Sequence, residues 1–306
     1  MRLLKYALAG CLAWLPVSGM TAPAVTTYRI KPSSTDPRIR HDDFADWVMF
    51  DRDAPPGAPL VLFMPGTHGR PGDRHELALM DLILGRGYRL AWISFDNDVS
   101  VSKVCPHSPD EHCSWKFRRM RVDGVGPAPV SNPPAESVVS RLTHLLQALD
   151  KAHPGEGWGS YLVEGRPDWK RIVVSGHSTG AGMATYIAKQ HEVARVVLFS
   201  SPWDDVHPRG RPRCTAPWLS MPSATPLDRW YAEYDRHEDT ARLIVAAYAA
   251  LKIPPSHIHV FSLGLPAGYA GRHAHNPYHT VTIRDPRYAA AWKAMFGQAN
   301  DVAAGR

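Results

Sequence analysis

The sequence has no block of basic residues, no internal repeat, no low-complexity region and no apolar run long enough to span a membrane. Its 306 residues carry a formal net charge of only +6, and lysine and arginine are scattered along the chain. This distribution argues against a nucleic-acid groove, so we interpret the charge as a solubility feature. The 44% apolar content is ordinary for a globular core, and the length suits one large α/β domain or two small ones.

Residues 1–24 have the pattern of a secretory signal peptide. Two basic residues precede an apolar run at 6–17, and the Ala-Pro-Ala sequence at 22–24 is typical of a cleavage site. The sequence Leu-Ala-Gly-Cys ending at Cys11 is similar to a lipoprotein box, but the apolar run continues past it. We therefore expect a periplasmic or secreted protein, with a lipoprotein as the minor alternative and residues 25–306 as one domain.

Cysteine is scarce, with four in the whole chain, of which Cys105, Cys113 and Cys214 would remain after export. An oxidising compartment permits disulfides. Cys105 and Cys113 lie eight positions apart in one proline-rich segment and are the expected pair, which leaves Cys214 buried or free.

No stretch has the ligand spacing of a zinc finger or of an HExxH helix. Cys105, His107, His112 and Cys113 would offer four ligands within nine residues, but a disulfide explains the two cysteines more simply. The His-x-His pair at 273–275 supplies only two ligands. We expect no metal and no other cofactor.

The most informative stretch is residues 170–182, Lys-Arg-Ile-Val-Val-Ser-Gly-His-Ser-Thr-Gly-Ala-Gly. The apolar run at 172–174 predicts a buried parallel strand, and 181–190 has a helix-forming composition. Between them lies a Gly-x-Ser-x-Gly box centred on Ser178. A strand, a sharp turn at serine and a helix form a nucleophile elbow, which projects the serine hydroxyl clear of the sheet. A Cβ in place of either glycine would collide with neighbouring backbone.

At these residues the sequence resembles the α/β-hydrolase superfamily, specifically its bacterial secreted esterases and lipase-like members. The resemblance covers about 46–296, although only the serine box is highly specific. It implies an α/β-hydrolase fold, with a mostly parallel central sheet and helices on both faces. The alternation of predicted strands and helices agrees with that architecture.

Apolar patterns predict the strands and helices that alternate along the chain. Strands are expected at 25–31, 46–50, 60–64, 89–95, 172–174, 194–199, 228–235 and 257–263. Helices are expected at 73–84, from 133–134 onward, after the elbow, at 238–251 and after 285–286. Two proline-rich excursions, at 96–134 and 200–226, interrupt this alternation, and the tail from Gly297 is expected to be frayed. The first excursion carries Trp115 and Phe117, so it is either a wall or lid of a substrate pocket or an inert surface loop.

A glycine-rich loop at 65–72 follows the strand at 60–64, where the superfamily places its first oxyanion-hole donor. The resemblance therefore implies the backbone N–H of Thr67 or His68 as one donor and that of Thr179 as the second. The helix that starts at Thr179 would also direct its positive dipole end at an oxyanion beside the serine. The alternative interpretation of the loop is a plain tight turn.

A serine hydroxyl needs a base to remove its proton, and that base needs an acid to orient it. In the superfamily the order along the chain is serine, then acid, then histidine. The loop after the last predicted strand offers His273, His275 and His279. His279 is favoured because it is nearest to the closing helix, where related secreted hydrolases carry their histidine. His177, inside the box, is interpreted as a packing residue.

Three sets of carboxylates lie between the serine and these histidines. Asp235 is favoured because it ends the strand that precedes the last one, which is the usual site in the superfamily. Its alternative role is that of a helix N-cap, since Glu238 follows three positions later in a capping-box-like pattern. The other candidates are Asp204 or Asp205, after the preceding strand, and Glu238 or Asp239 at the start of a helix.

The sequence therefore predicts a secreted serine hydrolase that cleaves carboxylic esters through an acyl-enzyme on Ser178. Its triad would be Ser178, Asp235 and His279. The expected partner is a small-molecule or lipid-like ester, with no nucleic acid and no stable membrane span. Acyl transfer and amide or peptide cleavage use the same triad and remain open. A binding protein that has kept the fold without catalysis is the alternative from a different class.

Overall fold

The predicted strands join into one sheet in the computed structural model, which describes residues 25–207, 212–269 and 276–305. The sheet has eight strands: β1 (Val25–Ile30), β2 (Asp46–Asp51), β3 (Leu60–Met64), β4 (Arg89–Trp92), β5 (Ile172–His177), β6 (Arg195–Phe199), β7 (Trp230–Asp235) and β8 (Ile258–Phe261). Their spatial order is β1-β2-β4-β3-β5-β6-β7-β8. The predicted signal peptide lies outside the described residues, as do His273 and His275.

The sheet is mostly parallel, as expected. Every neighbouring pair from β4 through β3 to β8 is parallel, whereas β1 pairs antiparallel with β2, and β2 pairs antiparallel with β4. In this register Met64 pairs with Gly176, and His177 pairs with Phe199. The carboxyl ends of β3, β5 and β6 therefore meet at one edge of the sheet, where the serine box and the glycine-rich loop both lie.

Helices cover both faces of the sheet. They are α1 (Pro32–Thr35), α2 (Leu77–Gly85), α3 (Val101–Val104), α4 (Cys113–Asp123), α5 (Val138–Ala152), α6 (Thr179–Gln190), α7 (Ala241–Leu251), α8 (Pro277–Val281), α9 (Ala289–Phe296) and α10 (Ala299–Ala303). Successive residues of β3 alternate between two apolar clusters, one built with α4 to α7 and the other with α2, α9 and α10. The continuous apolar runs of β3 and β5 are explained by this burial on both faces.

Two expectations about irregular segments were wrong. The first excursion contains α3 and the eleven-residue α4, and Phe117 on α4 is a fully buried core residue rather than part of a lid. The tail after Gly297 is not frayed, because α10 buries Ala299 and Val302 against the core. In both segments the apolar residues are too few to show a helical repeat in the sequence. The helices are stabilised by packing those few residues against the core.

The first excursion contains a disulfide, and the second contains a short pair of strands. Cys105 and Cys113 form a disulfide with their Cα atoms 5.5 Å apart, as predicted from their spacing. Cys214 is a free, exposed thiol in a short antiparallel ribbon that joins Asp205–Val206 to Cys214–Thr215. Within the described part of the chain, no helix is both long and apolar enough to cross a membrane.

Glu233 is an unusual core residue. It lies on β7 and is fully buried, and its carboxyl oxygens have no hydrogen-bond partner in the described part of the chain. The neighbouring Trp292 indole donates instead to the carbonyl of Thr282 (2.9 Å). Burial raises the pKa of Glu233 well above its ordinary value, and the nearby Glu238 and Asp235 carboxylates raise it further. Both effects favour the protonated, neutral form of Glu233.

Replacing Glu233 with glutamine should make the protein less sensitive to alkaline pH. Above the ordinary pKa of a glutamate, the unfolded chain releases the Glu233 proton while the folded chain retains it, so wild-type stability falls as pH rises toward the folded pKa. A glutamine stays neutral in both states. We therefore expect the stability of Glu233→Gln relative to wild type to increase as the pH rises from 5 to 8.

Urea unfolding at pH 5, 6.5 and 8 checks this expectation. Burial also raises the pKa of Asp46 to about 8 and that of Glu76 to about 7. Several groups therefore contribute to the change of wild-type stability with pH. Only the difference between wild type and Glu233→Gln isolates Glu233. Parallel stability curves for the two proteins over this pH range would show that Glu233 is ionised in the folded state.

Candidate active site

Ser178 occupies a sharp turn between β5 and α6. Its backbone has φ 53° and ψ −119°, a conformation that non-glycine residues rarely adopt and that is concentrated at functional sites. Its N–H donates to the carbonyl of Phe199 (3.1 Å), which fixes the turn to β6. The flanking glycines are required: a Cβ at Gly180 would lie 2.0 Å from the Met64 carbonyl oxygen, and one at Gly176 would lie 2.6 Å from it. The predicted strand, turn and helix are thus all present.

The candidate oxyanion donors surround this turn. A Cβ on Gly66 would lie 3.1 Å from the Cβ of Ser178, so the loop after β3 runs directly past the serine. The Oγ1 atoms of Thr67 and Thr179 are 2.6 Å apart, which ties this loop to the N-terminus of α6. Neither the Thr67 nor the Thr179 backbone N–H donates to another described group. Thr67 and Thr179 therefore lie next to the Ser178 turn, and the N–H of each has no acceptor among the described residues.

His68 is in a different situation. Its N–H donates to the side-chain oxygen of Asn97 (3.2 Å), and its side chain is 65% exposed beside Asp98. An N–H that already has an acceptor is a poor donor for a developing oxyanion. Of the two residues proposed from the sequence for the first donor, the contacts favour Thr67.

His279 lies on α8 and is held on several sides. Its Nδ1–H donates to Oε2 of Glu238 (2.7 Å), and its ring centroid is 4.5 Å from that of His177 and 5.0 Å from that of Trp203. Its Nε2 is buried and has no hydrogen-bond partner in the ranges that the structure describes. The imidazole is thus oriented at one nitrogen and available at the other. It is near the nucleophile turn, because His177 immediately precedes Ser178.

His177 contributes more than packing. Its Nε2–H donates to the backbone carbonyl of His279 (2.9 Å), because a carbonyl can only accept. The hydroxyl of Thr282 donates to the same carbonyl (3.0 Å). Burial lowers the pKa of His177 well below its ordinary value, and the adjacent His279 lowers it further. His177 therefore supplies a neutral N–H donor that fixes the backbone of His279.

Glu238 is the carboxylate in contact with His279. Its side chain is fully buried, and Oε1 accepts from the Asp235 N–H (2.9 Å) and from the Ser200 hydroxyl (2.7 Å). These two bonds leave Oε2 for the imidazole. A carboxylate held by three donors presents a fixed acceptor, which is the geometry required to set the tautomer of a histidine.

Asp235, the acid predicted from the sequence, has other partners. Its Oδ1 accepts from the backbone and side chain of His237 (2.9 and 2.8 Å), and its Oδ2 accepts from Leu263 N–H (3.1 Å) and the Tyr288 hydroxyl (2.7 Å). It is fully buried, but its contacts join β7 to β8 and the C-terminal segment rather than to His279. The contacts therefore favour a different acid from the one predicted: Glu238, three residues further along the chain, and not Asp235, lies beside the candidate base His279.

The remaining acid candidates also lie elsewhere. Asp204 is bound by Arg118 and Trp218, and Asp205 by Arg213 and His207, whereas Asp239 is exposed. Among the residues described, no group of three or more potential ligands is placed to hold a metal ion. His273 and His275, the alternative bases, lie outside the described residues.

The spacing of Asp235 and Glu238 in the sequence indicated a helix cap and not a contact with a histidine. Asp235 and Glu238 have capping-box spacing, and the structure has the backward half of that motif, in which the Glu238 carboxylate accepts from the Asp235 N–H. Only one of its oxygens is used there. The second oxygen is free to bind a residue that is distant in sequence, which a local pattern cannot reveal.

The strand order and the serine turn at the end of β5 define an α/β-hydrolase fold. No protein-family model and no curated protein sequence matches the chain. Similar solved structures include a bacterial heroin esterase, with 12% identity, 91% of this chain and 86% of that chain covered, and a TM-score of 0.45. A cold-adapted esterase from an Arctic intertidal metagenomic library has 12% identity, covers 94% of this chain and 99% of its own, and has a TM-score of 0.47. An esterase of Pyrococcus furiosus has 11% identity, coverages of 89% and 88%, and a TM-score of 0.44. At these identities the similarity says nothing about the chemistry of the site.

Proposed function

We propose that the protein is a serine hydrolase that cleaves carboxylic esters through an acyl-enzyme on Ser178. His279 would be the base, and Glu238 the acid that orients it. The observation that carries the proposal is the state of the imidazole beside the nucleophile turn. Its Nδ1 is bound to a buried carboxylate at 2.7 Å, and its Nε2 is buried without a partner.

In the proposed reaction His279 Nε2 takes the proton of the Ser178 hydroxyl as Oγ attacks the ester carbonyl. The C–O bond of the ester then breaks, and the imidazolium returns its proton to the departing alcohol. Water repeats the sequence on the acyl-enzyme: His279 removes a proton from water, the acid leaves, and Ser178 recovers its proton. Glu238 stays ionised and stabilises the imidazolium in each half-reaction.

The developing oxyanion would be bound by the N–H groups of Thr67 and Thr179. Thr179 is the first residue of α6, so the positive end of the helix dipole adds to this binding. The bond between the two threonine hydroxyls supports this proposal, because it links the two residues that carry these N–H groups. Donors that are already oriented in this way need no reorganisation in the transition state.

His177 is expected to matter for turnover and little for substrate binding. His177→Leu removes the N–H that holds the His279 carbonyl, and small displacements of a catalytic group can cost about 10²-fold. We expect kcat to fall 10- to 100-fold with KM nearly unchanged. His177→Gln, which can place an amide N–H near the same carbonyl, should recover most of this loss. Equal kcat values for the Leu variant and wild type would show that the contact is structural only.

The proposed function is tested by covalent labelling combined with a substrate screen. A fluorophosphonate probe should modify Ser178, identified by peptide mass mapping, because it reacts with a serine that an adjacent base has activated. A panel of esters with varied acyl and alcohol groups should be hydrolysed, and a peptide library run in parallel would detect amide cleavage. Labelling elsewhere or nowhere, with no hydrolysis, would favour a binding protein on this fold.

Two further proposals concern the chain as a whole. We propose that it is exported, on the pattern at 1–24, and the Cys105–Cys113 disulfide is compatible with an oxidising compartment. We also propose that 25–306 form one domain, for which the single eight-stranded sheet is the supporting observation.

A further inference from the structure

A cavity lies at the C-terminal end of α6, away from the candidate active site. Its volume is ≈ 310 Å³, at the lower end of the range of about 300–1,000 Å³ for small-molecule sites. Its walls come from Lys189 of α6, from Leu251 of α7 and from the segment 220–227. The serine turn is at the opposite end of α6, which has 12 residues and is therefore about 18 Å long. The cavity is thus separate from the site that contains Ser178.

Lys189 places a buried positive charge in this cavity. Its side chain is only 7% exposed, and its Nζ donates to the carbonyl of Leu219 (3.0 Å) and to that of Met221. Burial lowers the pKa of Lys189 to about 8, and no charged group adds to or opposes this effect. An ammonium has three N–H donors, so one donor remains when two carbonyls are bound. Lys189 is therefore mostly protonated at pH 7 and can donate to one further acceptor.

The rest of the lining combines positive charge with apolar surface. Among the described residues that line the cavity, the charged ones are Lys189 and Lys252, and none is a carboxylate. Trp230 and Leu251 are buried apolar walls, whereas Met221 is an exposed apolar side chain at the cavity. The charge favours an anion, and the walls favour an apolar body attached to it. Because one buried ammonium balances one negative charge, a monoanion fits better than a phosphate dianion.

The outer wall of the cavity is fastened to the end of α6. The N–H of Ala224 donates to the carbonyl of Lys189 (3.1 Å), and the N–H of Thr225 donates to that of Ala188 (3.1 Å). The Thr225 hydroxyl donates in addition to the carbonyl of His191 (2.8 Å). These bonds fix the segment 220–227 beside Lys189, so a ligand does not have to order it on binding.

We propose that this cavity binds an amphiphilic monocarboxylate, such as the anion of a medium-chain fatty acid. The carboxylate accepts from the Lys189 ammonium, and the alkyl chain packs against Trp230, Leu251 and Met221. This is a second site on the protein, and the inference does not depend on the proposed hydrolase function.

Isothermal titration calorimetry at pH 7 with three probes tests the proposal. Octanoate has both the charge and the chain, 1-octanol has the chain alone, and acetate has the charge alone. We expect octanoate to bind at least about tenfold more tightly than either of the others. A hydrogen bond to a charged group and the burial of several methylenes are each large enough to give this difference. The proposal is overturned if octanoate does not bind, or if 1-octanol or acetate binds as tightly as octanoate.

Two substitutions of Ser220 locate the bound octanoate. Ser220 lines the cavity and is exposed, so neither substitution disturbs the core. Ser220→Glu adds a negative charge beside the site, whereas Ser220→Gln adds a side chain of similar size without charge. Repulsion between the two carboxylates should make octanoate bind about tenfold more weakly to Ser220→Glu than to Ser220→Gln. Equal octanoate affinity in these two variants would place the bound carboxylate elsewhere on the protein and overturn the proposal.

Lys189→Met tests the ammonium itself. It removes the charge and keeps an apolar side chain, so octanoate should bind about tenfold more weakly or worse, while 1-octanol binds as it does to wild type. Octanoate affinity equal to that of wild type would show that Lys189 does not hold the carboxylate. If Lys189→Met does not fold, because the Leu219 and Met221 carbonyls lose their donor, the comparison of the two Ser220 variants decides alone.

Discussion

Replacing Ser178 with alanine is expected to lower kcat by about 10⁶, the loss found when the nucleophile of a serine triad is removed. The variant should fold normally. The turn depends on the Ser178 N–H bond to Phe199 and on the flanking glycines, and none of these uses the hydroxyl. Hydrolysis of the best ester from the substrate panel and circular dichroism of the same sample measure both quantities.

The β5 strand offers a matched control for this substitution. Ser175 lies three positions before Ser178, is fully buried, and has an Oγ without a hydrogen-bond partner in the described part of the chain. Ser175→Ala removes the same atom from the strand that leads into the Ser178 turn and should retain the full rate. Residual activity of Ser178→Ala within tenfold of wild type would exclude an acyl-enzyme on Ser178.

Replacing Glu238 with glutamine is expected to lower turnover by about 10⁴, as for the acid-to-amide change in other triads. The glutamine oxygen can keep the bonds from the Asp235 N–H and the Ser200 hydroxyl, which places its NH₂ group toward His279 Nδ1. Two donors then face each other unless the imidazole moves its proton to Nε2. In that tautomer His279 cannot accept the proton of Ser178. The residues therefore keep their positions, but the proton transfer is lost.

Asp235→Asn is the comparison that decides between the two acids. Both Leu263 N–H and the Tyr288 hydroxyl donate to Asp235 Oδ2. If the asparagine NH₂ takes the place of Oδ2, these two donors lose their acceptor. We expect a stability loss of about 1–3 kcal/mol, measured by urea unfolding, and only a few-fold loss of turnover. The reverse pattern, with turnover collapsing in Asp235→Asn and nearly intact in Glu238→Gln, would return the role of the acid to Asp235.

The sequence alone predicted the parts of this protein that depend on short stretches of chain. The buried strand, the glycines at 176 and 180 and the following helix are local, and their physical requirements can be stated without a fold. The strand and helix alternation predicted the mostly parallel sheet, which is confirmed. The spacing of Cys105 and Cys113 predicted a disulfide that the structure contains. The choice of His279 as base remains a prediction, now supported by its contacts.

Tertiary structure decided which groups meet. Asp235 and Glu238 are three positions apart, and both are buried at the same strand end, so no local pattern could say which one faces His279. That depends on α8, which is about forty residues away and places the imidazole beside Oε2 of Glu238 at 2.7 Å. The choice of Thr67 over His68 likewise depends on Asn97, whose side-chain oxygen accepts the hydrogen bond of the His68 N–H. Backbone pattern is set by near neighbours along the chain, whereas a hydrogen bond between distant residues is set by how whole elements pack.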